Sequence, residues 1–200
     1  MISIKSFEVN YFSENTYLLY DETKEAVIID CGCVRPDEQN EIRDFITANG
    51  LTLKHNLCTH LHLDHIFGND FIFREYGLKP EAHKADVEML PPASQQAKMF
   101  GLHDRVVDTE IGHFLANGEI ITFGKSELLV ISVPGHSPGG LAFYSKKNGF
   151  VVCGDSLFAG SIGRTDLWGG NQEILIAMIS YWLCRMRRLS IPVMAQRHVL

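Results

Sequence analysis

Apolar residues in the first quarter of the chain fall into short runs that are typical of strands, followed by one helical stretch. The runs are rich in Ile, Val, Tyr and Phe, and they predict strands at 2–9, 16–20 and 26–29. Because only a few residues link these strands, we expect them to lie antiparallel to one another. The stretch 36–49 has apolar residues at helical spacing, begins at a proline and is followed by Gly50, so it predicts a helix.

Beyond residue 50 the same patterns predict further strands and short helices. The expected strands are 53–58, 79–83, 119–123, 127–133, 141–145 and 150–153. The expected helices are 71–76, 84–89 and 172–183, with a further turn or two at 94–100. The feature that recurs is a strand, a polar strand end and then a helix. The apolar run of the last helix is shorter than the roughly 20 residues that a membrane span needs.

Four side chains that can bind a metal lie within the segment 59–65, between a predicted strand and a predicted helix. They are His60, His62, Asp64 and His65. Neutral imidazole is a good ligand for zinc and similar divalent ions, and carboxylates join it readily. A desolvated cluster of this kind is costly without a metal to organise it. The segment therefore predicts a metal site on a loop that follows a strand.

Other polar residues occupy the ends of predicted strands in the same way. His136 lies in a loop of prolines and glycines after the strand 127–133, and Asp155 follows the strand 150–153. Their common placement indicates that they join the first cluster. Asp30 also follows a strand, and two interpretations stay open: it orients a nearby histidine or loop N–H, or it forms a turn. Arg164 and Asp166 are expected to pin their glycine-rich loop through a salt bridge.

Composition narrows the classes of function. The 200 residues suit one domain with a substantial core, and the net charge of -6 argues against a nucleic-acid surface. The five cysteines contain no Cys-x-x-Cys pair and the N-terminus shows no secretory signal, so we expect free thiols and a cytoplasmic location. His83, His103 and His113 have no ligand-like neighbours and are expected to be ordinary surface or hydrogen-bonded histidines.

In this order, the motifs at 59–65, 134–139 and 154–155 resemble those of the metallo-β-lactamase superfamily. The segment 161–166, with its Gly-Arg-Thr-Asp, is similar to the glyoxalase II-type group, the hydroxyacylglutathione hydrolases and their small relatives. The resemblance covers about 2–175 and implies an α/β fold. That fold is an αββα sandwich, in which two mixed β-sheets are flanked by helices and the metals lie at one edge.

The resemblance also implies roles for individual residues. His60, His62 and His136 would hold a first metal, Asp64 and His65 a second, and Asp155 would bridge the two. Asp64 and Asp155 would be the catalytic carboxylates. The family usually carries two zinc ions per chain, with iron or manganese as substitutes, and no organic cofactor is expected. The metals would supply a hydroxide that attacks a thioester such as an acylglutathione. We expect a small-molecule substrate and neither a nucleic-acid nor a membrane partner, and the oligomeric state stays open.

The chain departs from this family pattern after residue 175. The family has a further histidine ligand in a Gly-His-Gly segment, which the stretch 176–200 lacks, and His198 is not expected to replace it. When residues 192–198 are translated back into codons that the genetic code allows, a shift of the reading frame over those codons encodes Gly-His-Gly. We therefore treat 1–175 as the domain and 176–200 as an aberrant tail, by hypothesis out of frame. We expect the final strand to be missing and the second metal to bind weakly.

Two alternatives to a thioester hydrolase follow from the same residues. A mononuclear iron oxygenase of the persulfide dioxygenase type would use His60, His136 and Asp155, because two histidines and one carboxylate leave open positions on iron. The other alternative is an inactive scaffold, because the last metal ligand of the family is absent.

Overall fold

The structure, a computed structural model, describes residues 1–102, 106–187 and 193–194. Its first sheet has the strand order β1-β2-β3-β4-β5-β6. These strands are β1 (Ser3–Val9), β2 (Glu14–Tyr20), β3 (Glu25–Ile29), β4 (Thr52–Leu57), β5 (Pro80–Ala82) and β6 (His113–Phe114). The first three strands are antiparallel, as their short links predict, and β3 to β6 are parallel.

The second sheet has the order β13-β10-β9-β8-β7. Its strands are β7 (Ile120–Phe123), β8 (Ser126–Ser132), β9 (Leu141–Ser145), β10 (Phe150–Val152) and β13 (Val193–Met194), and a separate small hairpin joins β11 (Leu157–Phe158) to β12 (Ser161–Ile162). The prediction that the final strand is missing is wrong in this detail, because β13 pairs in parallel with β10. Without it, that edge of β10 would leave its backbone N–H and C=O groups unpaired.

Six helices connect or cover the strands in the described part of the chain. They are α1 (Pro36–Asn49), α2 (Leu63–Ile66), α3 (Asn69–Tyr76), α4 (Lys84–Met89), α5 (Ala93–Met99) and α6 (Gln172–Arg187). The bounds of α1 agree with the prediction, since Pro36 begins it and Gly50 ends it in the left-handed conformation. The helix predicted at 71–76 is preceded by α2, so Asp64 and His65 lie on a helix and not in a loop.

The αββα sandwich predicted from the family resemblance is confirmed by the layers of the structure. Alternate residues of the strands face opposite sides of a sheet. In β2, for example, Leu19 packs between the two sheets, while Leu18 packs under α1 and α3 with Ile42 and Phe71. On the far side of the second sheet, Val151 packs with Trp182 of α6. The strands β2, β3, β9 and β10 are thus largely buried on both faces, which explains why they read as nearly continuous apolar runs.

One edge of the sandwich collects the polar strand ends. β3 and β4 are parallel, and β8 and β10 run the same way because each is antiparallel to β9. A hydrogen bond of 2.7 Å from Leu141 N–H to the Thr59 carbonyl joins the two sheets at this edge. The loops after these four strands therefore lie together.

None of the helices within the described ranges combines the length and the apolar character that crossing a lipid bilayer requires.

Candidate metal centre

All six residues that the sequence predicts as metal ligands lie together at this edge. His60 and His62 lie between β4 and α2, and Asp64 and His65 are in α2. His136 lies in the loop between β8 and β9, and Asp155 lies in a 3-10 turn, Gly154–Ser156, after β10. The four imidazoles are almost fully buried, with 1 to 4% of their surface exposed. Whether these residues bind metal stays a prediction, but the structure brings them into one cluster.

Three imidazole nitrogens point at a common centre. His62 Nδ1 lies 2.9 Å from His136 Nε2, which lies 3.1 Å from His60 Nε2. These atoms come from both sheets, because His136 follows a strand of the second sheet and the other two histidines follow β4 of the first. The rings of His60 and His62, which are two residues apart in the sequence, thus converge with the ring of His136.

The other ring nitrogens of two of these histidines are fixed as proton donors. Thr59 Oγ1 donates its hydrogen to Asp30 Oδ2 at 2.6 Å, so it can only accept a hydrogen bond from His60 Nδ1, which lies 3.1 Å away. His136 Nδ1 lies 2.7 Å from the Arg164 carbonyl, which can only accept. In their neutral forms, both histidines therefore carry the proton on Nδ1 and present an Nε2 lone pair to the centre.

Burial keeps these imidazoles neutral. It lowers the pKa of His60 well below the usual range, and the neighbouring histidines lower it further. Burial, followed by the charge of His136, lowers the pKa of His62 to about 3. The pKa of His136 is also lowered, chiefly by burial, although Asp155 opposes the effect. Neutral imidazoles are the form that binds a metal.

This donor set fits a divalent cation. Two lone pairs that face each other at 3.1 Å, on His60 and His136, repel unless positive charge lies between them. A tetrahedral zinc ion with bonds of about 2.0 Å would hold its nitrogen ligands roughly 3.3 Å apart, which is close to the observed spacing.

Carboxylates form a second group beside the imidazoles. His65 Nε2 lies 3.3 Å from Asp155 Oδ1 and 3.5 Å from Asp64 Oδ2. The other oxygen of Asp155 lies 3.8 Å from His136 Nε2, so this carboxylate spans both groups. Burial alone would lower the pKa of His65, but Asp64, Asp155 and Asp30 together raise it well above its usual value. The surrounding carboxylates thus stabilise positive charge at this position.

Asp30 orients the histidines, which confirms the first of the two interpretations of this residue. Its carboxylate accepts hydrogen bonds from Thr59 N–H and Thr59 Oγ1 and from His65 Nδ1, at 2.6 to 3.0 Å. Asp30 has a φ of 53°, but the structure assigns no turn at this residue. One side chain therefore sets the ring orientation of His65 directly and that of His60 through Thr59.

We expect Asp30→Asn to lower the affinity for a divalent metal by about 10- to 100-fold. Asparagine tolerates the left-handed backbone at this position and keeps the size of the side chain, but its NH₂ group cannot accept the hydrogen bonds that the second carboxylate oxygen accepts. A calorimetric titration with zinc measures the affinity, and thermal unfolding checks that the fold is retained. An unchanged affinity in a folded variant would mean that Asp30 does not position these ligands.

Sequence patterns missed two buried acidic residues near the cluster. Glu14, which lies outside the predicted strands, begins β2, and its Oε1 lies 3.7 Å from His65 Nδ1. Burial raises the pKa of Glu14 well above its usual range. Glu14, Asp30 and His65 form a further group of metal-capable side chains. Because His65 Nδ1 donates its proton to Asp30, we assign these two carboxyl groups to orientation of His65 rather than to metal binding.

Asp86 is the second residue that the sequence did not single out. It is 1% exposed and lies in α4. Its carboxylate accepts hydrogen bonds from Leu61 N–H and Ser137 Oγ, at 3.0 and 3.1 Å, and from Gly139 N–H. Asp86 therefore holds the loop of His60 and His62 against the loop of His136. A sequence signal for this role is lacking, since the partners lie far apart along the chain.

The remaining polar residues with a prediction are Arg164, Asp166 and the histidines outside the cluster. Arg164 and Asp166 form the predicted salt bridge through two contacts of 2.7 Å. His83 accepts a hydrogen bond at the start of α4, and His113 pairs with Glu119, so both are hydrogen-bonded histidines as expected. His103, His198 and most of the tail beyond residue 187 lie outside the described residues.

Comparison with known proteins shows the family to which this chain belongs. The profile of the Metallo-beta-lactamase superfamily matches residues 9–183. A hydroxyacylglutathione hydrolase, GloC of Haemophilus influenzae, is 33% identical over 182 residues, which cover 89% of this chain and 82% of that protein.

Solved structures give the same fold. BLEG-1, described as a B3 metallo-beta-lactamase, has a TM-score of 0.81 at 29% identity, over 98% of this chain and 91% of its own. TTHA1623, solved in a di-iron-bound form, has a TM-score of 0.78 at 29% identity, over 96% of this chain and 91% of its own.

Proposed function

Because this chain belongs to the metallo-beta-lactamase superfamily, we propose that it is a metal-dependent hydrolase that cleaves a thioester such as an acylglutathione. The observation that carries the proposal is the contact between His60 Nε2 and His136 Nε2, at 3.1 Å, with both lone pairs turned inward. The choice of a thioester is supported by the Gly-Arg-Thr-Asp segment and by the 33% identity to a hydroxyacylglutathione hydrolase.

The predicted ligands divide into two sets. His60, His62 and His136 would hold one ion, Asp64 and His65 a second, and Asp155 would reach both. Bound cations supply positive charge that lowers the pKa of water towards neutrality and polarises a carbonyl group. Zinc suits the imidazole set, and iron is an alternative because TTHA1623 binds two iron ions.

The chain's own side chains prepare the reacting groups. Asp30 and Thr59 keep the ligand rings in fixed orientations, which avoids reorganisation when substrate binds. Desolvation raises the pKa of Asp64, whose Oδ2 lies 3.5 Å from His65 Nε2. Asp64 and Asp155 are the carboxyl groups placed beside the reacting centre, where they would bind metal in their deprotonated form. No serine or cysteine nucleophile is needed for this reaction.

The test is turnover of a thioester by protein loaded with zinc, manganese or iron in separate samples. We expect hydrolysis, which is measured as the release of free thiol. This activity should disappear after chelation and return when metal is added back. Hydrolysis that survives complete removal of metal would contradict the proposal.

Metal analysis and oxygen uptake separate the alternatives. About one iron per chain together with consumption of oxygen and a persulfide would support the oxygenase that uses His60, His136 and Asp155. Metal binding without turnover of either class of substrate would support the inactive scaffold. The weak second site expected from the missing Gly-His-Gly segment predicts less than two tightly bound ions per chain.

A further inference from the structure

A cleft of about 380 Å³ opens beside the metal centre. Its floor contains the predicted ligands His62, Asp64, His136 and Asp155. The remaining lining is apolar apart from Arg164, and it consists of Phe12, Leu63, Phe100, Phe158 and Leu167. A molecule that reacts at the metal centre therefore lies against aromatic and aliphatic surface.

Aromatic rings continue from the mouth of the cleft to a predicted ligand. Phe12 packs edge-on against Phe100 at 6.1 Å between ring centroids, and Phe100 packs edge-on against Trp168 at 6.3 Å. Trp168 in turn lies 6.1 Å from the ring of His62. We call Phe12, Phe100 and Trp168 the aromatic wall.

Two members of the aromatic wall stay exposed. Phe12 is 39% exposed and Phe100 is 43% exposed, although both lie beside a polar, buried centre. Exposed aromatic rings that line a concave surface are typical of a binding site for apolar groups.

The turn that carries Phe12 is fixed to the metal centre. Asn10 Oδ1 accepts a hydrogen bond from Phe12 N–H at 2.9 Å, and Asn10 Nδ2 donates to the carbonyls of Asp64 and Gly32 at 2.8 and 2.9 Å. Asn10 N–H also donates to Glu38 of α1 at 2.7 Å. Phe12 is therefore presented to the cleft by a turn that is bound to the backbone of a predicted ligand.

Away from the predicted metal ligands, the charge of the cleft lining does not favour an anionic substrate group. Arg164 is the only cation among the described residues that line the cleft, and its guanidinium is already bound to Asp166 by two contacts of 2.7 Å. A carboxylate on the non-reacting part of a substrate would thus find no unpaired cation in this lining.

We propose that the cleft selects thioesters whose non-reacting group is uncharged and aromatic, held against the rings of Phe12 and Phe100, which Trp168 supports by packing against Phe100. The inference rests on the proposed thioester hydrolysis and specifies its substrate class. The aromatic group belongs either to the acyl part or to the thiol part, and both place the same ring chemistry in the cleft.

Matched thioesters test the selection. In the first pair, both compounds are thioesters of the same small neutral thiol, and the acyl part carries a phenyl ring in one and a carboxylate in the other. In the second pair, both compounds are acetyl thioesters, and the thiol part carries the phenyl ring or the carboxylate. We expect kcat/KM to favour the phenyl compound in at least one pair by about tenfold, and Phe100→Ala to remove most of that preference. Phe73→Ala is the matched control, because Phe73 is 41% exposed and lines a different groove, so the preference should persist.

Binding to metal-free protein provides a readout that does not depend on turnover. A non-hydrolysable benzyl thioether should change the fluorescence of Trp168, because Trp168 packs against Phe100 of the cleft, whereas Trp182 lines a different cavity. Trp168→Phe should therefore lose that change. Thioesters that are hydrolysed with no preference for phenyl in either pair would overturn the inference and leave the proposed function intact. Binding of the thioether without any thioester hydrolysis would support the aromatic cleft and overturn the proposed function.

Discussion

Replacement of His136 by alanine is expected to lower thioester turnover by about a thousandfold, because it removes the ligand that joins the two sheets at the metal centre. His136 Nε2 contacts both His62 Nδ1 and His60 Nε2, and it lies 3.8 Å from Asp155. Its loss would leave two imidazoles in the first set and would weaken metal binding at the same time. Turnover and metal content of the purified variant measure the two effects.

His113→Ala is the control for this prediction. His113 is an exposed histidine paired with Glu119 at 2.6 Å, and it lines a groove that contains none of the predicted ligands. We expect it to leave turnover and metal content within about twofold of the wild type. If His136→Ala retained full activity with metal bound, the first set of ligands would be wrongly assigned.

Asp86→Ala should destabilise the fold by about 3 kcal/mol and loosen the metal centre. The change leaves Leu61 N–H and Gly139 N–H buried without their acceptor, and Ser137 loses its partner as well. Each buried group that is left unsatisfied costs about 1–3 kcal/mol. Urea denaturation gives the free energy of unfolding, and metal titration at low urea gives the affinity, which we expect to fall because two ligand loops lose their common anchor.

Asp108→Ala separates the effect of position from that of the residue type. Asp108 accepts hydrogen bonds of 2.8 and 2.6 Å from Ser94, much like Asp86, but these contacts are exposed to solvent. Its replacement should change the free energy of unfolding by less than about 1 kcal/mol. Equal losses of stability in the two variants would show that burial and loop bridging are not what make Asp86 important.

The sequence predicted that the candidate metal ligands lie together because they occupy repeated positions at strand ends. His60, His136 and Asp155 each follow a strand, and parallel strands bring their carboxyl ends to one edge. The bounds of α1 were also predictable, since Pro36 and Gly50 act locally on the backbone. Signals of this kind depend on neighbours along the chain, which a sequence displays directly.

The residues that sequence analysis missed act over long distances. Asp86 looks like an ordinary polar residue of a short helix, and only the folded chain places it between Leu61 and Gly139. Glu14 follows a turn-forming serine and so resembles a turn residue, although it is 1% exposed in β2. The aromatic wall was equally hidden, because its three rings come from separate connections.

The central claim is that the imidazoles of two sheets converge on a divalent cation, and metal content per chain tests it most directly. Wild-type protein and His136→Ala, each incubated with excess zinc and passed over a desalting column, would be compared by elemental analysis. We predict at least about one zinc per wild-type chain and less than half of that in the variant. A wild-type protein that retains no metal, or a variant that retains as much as the wild type, would contradict the account.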